Sequence, residues 1–182
     1  MTAPIRPDPP PRFVPGPRGV SKAYQNYFST PYVRDTLSSL VQAPVQVESF
    51  SHPPLGQERL RGGTTNTGGM RLFENPNNDS FTHELGHVLD QRSRVTGDAL
   101  EVTDSLRTIF KNQRPRFNYE SATGDLPAEY VAETFREAMS VVRSPTDIQE
   151  RNLQQSEKKF PGITLWYNWI KARLTQAVAT QL

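Results

Sequence analysis

The sequence predicts an α+β fold, with a small mixed sheet in the first half of the chain and several helices from Phe81 onward. Three observations point there. Val45 and Val47 alternate with polar neighbours, so VQVESF reads as a strand, and Met70 to Phe73 reads as a second one. After Phe81, apolar residues recur at helical spacing in several successive runs. Gly97, Gly124 and Gly162 all fall between those runs, where connections belong. At 182 residues and 20.6 kDa the chain suits one domain with its own hydrophobic core.

Taken in order, residues 1–19 are dominated by proline, which removes backbone donors and fixes φ. An extended, partly polyproline segment is expected there, with the folded domain spanning residues 20–182. Docking onto a partner in a larger assembly is one role for such a segment. After it, Thr30 can cap a short helix that takes Pro31 in its first position, with Val33, Leu37, Leu40 and Val41 on its inner side. The Gly-, Asn- and Thr-rich stretch around Met70–Phe73 reads as loop. Asp79 or Ser80 can cap a helix from Phe81 to about Arg92, with Phe81, Leu85, Val88 and Leu89 buried. ALEVTDSLRTIFKN forms the next helix, stopped before Pro115. Asp125 can cap LPAEYVAETFREAMSVV, in which Val131, Phe135, Ala138, Met139 and Val142 make a core stripe that ends at Pro145. A last helix runs from about Thr164 to Ala179.

Composition excludes several classes of function. The formal charge is +2, from 21 Lys and Arg against 19 Asp and Glu, and no basic block interleaved with aromatics suggests a nucleic-acid partner. With no cysteine, the chain has no disulfide framework, no thiolate nucleophile and no cysteine-ligated zinc. The mean hydropathy is −0.65, and no run approaches the roughly 18 apolar residues of a membrane span. No secretory signal is readable at the N-terminus, so export is expected, if it occurs, through a dedicated machine or inside a particle.

The chemistry gathers in FTHELGHVLD. His83 and His87 are four residues apart, so on a helix both imidazoles face one side, one turn apart. Two of the three histidines in the chain lie here. That spacing lets both bind one zinc ion, with Glu84 beside them to take a proton from the water the metal activates. A catalytic zinc needs a third protein ligand and an open position. His52 lies in a proline-flanked loop and reads as an exposed residue, so the third ligand is expected to be acidic, or water to take its place. Glu129 and Glu133 stand at i and i+4 of the later helix, off its apolar stripe. Zinc bound by one, with the other holding an imidazole by its second nitrogen, relieves their mutual repulsion, and periodicity does not say which does which. Asp90, three residues past His87, is expected to hydrogen-bond an imidazole or the following loop.

HELGHVLD followed some forty residues later by EYVAETF resembles the catalytic core of the anthrax lethal factor C-terminal domain and of the bacterial Pro-Pro endopeptidases, gluzincin-type metalloproteases. KKFPGITLWYNWI resembles the end of that domain. The resemblance implies a single zincin-like metalloprotease domain and a zinc-dependent endopeptidase that hydrolyses a protein or peptide substrate with one Zn2+ ion. It implies His83, His87 and Glu129 as metal ligands, Glu84 as general base, Glu133 as the outer carboxylate and Tyr119 as the oxyanion donor. Tyr119 stands a little farther from Glu129 than the family's spacing. Gly69, Met70, Arg71 and Leu72 fall where such proteases keep an edge strand that aligns substrate, although Gly68 and Gly69 also suit a hairpin turn. The Asp8-Pro9-Pro10-Pro11 stretch is a candidate substrate mimic. The setting is a toxin or secreted effector, a processing protease, or a virion protein. The alternative from another class is a catalytically inactive zincin-fold component of a phage particle or secreted assembly.

Overall fold

The computed structural model describes residues 11–53, 55, 62–65, 67–73, 75–117 and 125–179. Four short strands, β1 (Phe13–Pro15), β2 (Val45–Ser49), β3 (Gly62–Thr64) and β4 (Met70–Leu72), form one sheet in the order β1-β2-β4-β3. β1, β2 and β4 run parallel and β3 is antiparallel to β4, so the sheet is mixed as expected. Val45, Val47, Met70 and Leu72 line its buried face.

Two of these strands do not show in the pattern of the sequence. β1 lies within the proline-rich segment, and Phe13 is a core residue packed edge-on against Phe81 at 5.1 Å, so the segment joins the domain at least from residue 13. Val45 N donates to Arg12 O and Gly16 N donates to Val47 O. The even-numbered residues therefore face β2 and Pro15 faces outward, where a missing N–H breaks no ladder bond. Residues 1–10, including Asp8, Pro9 and Pro10 of the candidate mimic, lie outside the described residues.

β3 corrects the expected substrate edge. β4 is paired on both sides, and Met70 and Leu72 are buried in the core, so Gly69–Leu72 is an inner strand. A Cβ on Gly69 would lie 2.6 Å from Gln46 O, so this glycine serves the close approach of β2. Gly68 sits in the turn of the β3–β4 hairpin, closed by Thr65 N to Gly69 O. Among the described residues β3 is the outer strand on the side of α2.

Helix α1 (Lys22–Phe28) precedes Thr30 and is capped by Ser21. The stretch after Pro31 winds as a π turn, Tyr32–Thr36, and a 3-10 turn, Leu37–Leu40. Val33, Leu37, Leu40 and Val41 are nevertheless buried as their spacing requires. The long helix α2 (Asn78–Thr96) starts earlier than expected because Asn77, rather than Asp79 or Ser80, is the cap, accepting from Ser80 N at 2.8 Å. α3 (Leu100–Gln113) follows, and α4 (Leu126–Arg143) begins where Asp125 Oδ1 accepts from Ala128 N at 3.1 Å. α5 (Thr146–Lys159) comes next, then α6 (Ile163–Ala179). α4 is central, packing on α2, α3, α5 and α6. Trp166 Nε1 donates to Val131 O at 3.1 Å and Tyr130 Oη donates to Pro161 O at 2.8 Å, binding the last segment to it. The HELGH helix on a small mixed sheet, with helices following, is an α+β zincin-like fold.

Candidate metal centre

The site forms where α2 crosses α4, and the closeness of the crossing is set by Gly86. A Cβ there would lie 2.8 Å from Ala132 Cα, inside any normal contact distance, so only glycine lets the two backbones come this near. The approach brings residues 83 and 87 of one helix opposite 129 and 133 of the other.

Glu129 Oε2 lies 3.2 Å from His83 Nε2 and 3.2 Å from His87 Nε2. One ligand atom from each of the three residues falls within 4.8 Å of the others. A tetrahedral zinc ion bound at about 2.0 Å holds neighbouring ligand atoms about 3.3 Å apart, so the two 3.2 Å separations are compatible with a shared zinc ion. The donor set, two imidazoles and one carboxylate, also suits zinc. The imidazole side chains keep 20% and 15% of their surface, so the cluster is open on one side rather than sealed. His52 is exposed and takes no part.

Glu133 sits behind His83. His83 Nδ1 lies 3.2 Å from Glu133 Oε2, so an Nδ1–H donating there leaves the Nε2 lone pair facing the cluster. Burial alone lowers the pKa of His83, but its hydrogen bonds to Glu129 and Glu133 outweigh that and raise it to about 9 in the metal-free protein. Burial likewise works to raise Glu133, whereas His83 and Arg136 bring it down to about 2.

Glu84 is buried, and its Oε2 has no hydrogen-bond partner among the described residues. Burial raises its pKa, against the pull of His87 and His83. A buried carboxylate oxygen left unpaired is costly, and a metal site with an activated water supplies its missing partner. The Glu84 side chain lies directly against β3, since a Cβ on Gly62 would come 2.5 Å from Glu84 Oε1. The sheet edge and the carboxylate are thus in direct contact. Gly62 went unnoticed in the sequence because it is one of many small residues in a loop-like stretch.

Asp90 is a correction. Its carboxylate is buried and goes to Arg107 of α3, which donates through Nε to Oδ1 at 3.2 Å and through a terminal nitrogen to Oδ2, rather than to an imidazole. Arg107 also lies 3.6 Å from Asp125, the cap of α4. The acid expected to steady the metal instead ties α2 to α3 and to the start of α4. Tyr119 lies outside the described residues.

Among the described residues no helix is long and apolar enough to cross a membrane. The chain matches no protein-family model, no curated protein and no solved structure. The site therefore stands on its geometry, which is consistent with a zinc-protease catalytic site.

Proposed function

We propose that the protein is a zinc-dependent endopeptidase of the gluzincin type, with His83, His87 and Glu129 holding one Zn2+ ion. The observation that carries this reading is the pairing of two features: both Nε2 atoms stand 3.2 Å from Glu129 Oε2, and Glu84 brings an unpaired buried oxygen beside them. Zinc, when bound, supplies a Lewis acid and lowers the pKa of the reacting water. Glu84 accepts the proton of that water and returns it to the leaving amine, a task suited to a carboxylate whose pKa burial has raised. Glu133 keeps His83 oriented.

The substrate is a protein or peptide lying extended along β3, whose outer edge pairs with no other strand among the described residues and can bond a substrate main chain. Gly62 and Gly63 put no side chain in its way, and Gln91 of α2 steadies Thr64 through a 2.8 Å bond. Tyr119 is proposed as the donor to the tetrahedral oxygen on the family resemblance. The setting stays open between a toxin or secreted effector, a processing protease and a virion-borne peptidase.

The test is zinc analysis of the wild type and Glu84→Gln, together with cleavage of a diverse peptide library. Zinc in both and cleavage by the wild type alone is the expected result. Zinc in both and cleavage by neither turns the reading to a zincin-fold binding component, and zinc in neither overturns it.

A further inference from the structure

Glu129 and Glu133 are the same residue type, one turn apart on one helix, yet only Glu129 places an oxygen against both imidazoles. The difference lies in Arg136. Its Nε donates to Glu133 Oε2 at 3.0 Å and its Nη2 donates to Glu133 Oε1 at 2.6 Å, a planar two-point grip. With the His83 contact added, both oxygens of Glu133 are engaged. Arg136 Nη1 lies 4.0 Å from Asp79 in the first turn of α2, and Nη2 lies 3.8 Å from Glu137.

We propose that Arg136 is the positioning residue that gives the two carboxylates their different tasks, fixing Glu133 toward His83 Nδ1 and off the metal position so that Glu129 is the sole acidic ligand. The inference rests on the zinc reading above. Without the guanidinium, Glu133 would be a mobile anion one turn from Glu129 and within reach of the same cation. Charge points the same way: a divalent ion and Arg136 together neutralise Glu84, Glu129 and Glu133. A lysine could supply the charge but not the fork, since its ammonium is a point donor.

The test compares the wild type with Arg136→Met, Arg136→Lys, Glu133→Gln and the Arg136→Met/Glu133→Gln double variant. Zinc affinity is read by competition with a chelator, site geometry by the visible absorption of the Co2+-substituted proteins, and folding by circular dichroism of the metal-free forms. Arg136→Met is expected to weaken zinc binding by about 10- to 100-fold, the usual size for a residue that orients a ligand, and to alter the cobalt bands. Arg136→Lys should show a smaller loss in the same direction, and it carries the test if Arg136→Met does not fold. In the Glu133→Gln background Arg136→Met should add nothing. Wild-type affinity with an unchanged cobalt spectrum in Arg136→Lys and Arg136→Met overturns the proposal, as does an equal loss with and without Glu133. If these metal effects appear while the wild type cleaves no peptide, the endopeptidase reading fails and the role of Arg136 stands.

Discussion

The two halves of α2 bury polar groups in opposite ways. Toward its C-terminal end every buried polar side chain has a matched partner: Asp90 pairs with Arg107, and Ser93 donates to Asp90 O while meeting Thr103 at 3.0 Å. Arg92 extends the pattern, donating to Ala43 O and Pro44 O. Toward the N-terminal end Thr82 is likewise satisfied, by Asn78 O and Tyr32 Oη, but the histidines and acids face one another across a common point. Glu84 Oε2 has no partner among the described residues, and two imidazoles crowd a third residue's carboxylate. Satisfied polar groups hold a structure together, whereas the Glu84 oxygen without a partner among the described residues, beside three side chains able to hold a metal ion, is placed for a ligand.

The comparison is sharpest in two acid-to-amide exchanges six residues apart. Glu84→Gln should lower peptide cleavage by about 10^3-fold or more, the contribution of a general base, while the melting temperature stays level or rises, because a buried, unpaired acid has become neutral. Asp90→Asn should do the reverse. It removes the buried counter-ion of Arg107, leaving the exposed Asp125 at 3.6 Å, and should cost about 3 kcal/mol in denaturant unfolding, with the folded fraction still active. If Asp90→Asn instead abolishes activity at unchanged stability, the division of α2 into a structural and a chemical half is wrong.

Gly86→Ala probes the crossing on which the chemical half depends. Its Cβ would meet Ala132 Cα at 2.8 Å, so overpacking of about 1–3 kcal/mol is expected, and zinc affinity should fall with it as Glu129 is pushed from the imidazoles. A stability loss without any loss of zinc affinity would separate the crossing from the site.

A smaller effect concerns pH. In the metal-free protein His83 has a pKa of about 9, above its ordinary value of 6.5, so the stability from its bonds to Glu129 and Glu133 is full below 6.5 and lost as pH rises through 9. Zinc needs the neutral imidazole, so binding at about pH 7.5 should release roughly one proton from this residue, and affinity should rise with pH across that window. Calorimetry in buffers of different ionisation enthalpy reads the proton count, and zero would contradict the assignment.

How much of this was legible in the sequence follows the range of the interactions. The four-residue spacing of His83 and His87 is local to one helix, and so are the stripes of α2, α3, α4 and α6, all of which appear in the structure. α5 hides because TDIQERNLQQSEKK offers almost nothing apolar, and its one fully buried residue is Gln149. β1 and β3 are three residues long and carry proline and glycine; β1 exists through pairing with β2, far along the chain, and β3, whose residues offer no apolar alternation, through a hairpin with β4. The same holds for the site. Asp90 shares a sequence neighbourhood with the histidines, yet its partner comes from α3. The roles of Gly62, Gly86 and Arg136 depend on which helix faces meet, which no periodicity reports.

Zinc retained after exhaustive dialysis by the wild type and by Glu129→Ala tests the central claim most directly, because Glu129 is the residue on which both imidazoles converge. One zinc per wild-type chain, lost in Glu129→Ala with the fold intact, is the predicted result. A wild type that keeps no zinc, or a Glu129→Ala variant that keeps it equally well, would contradict the account.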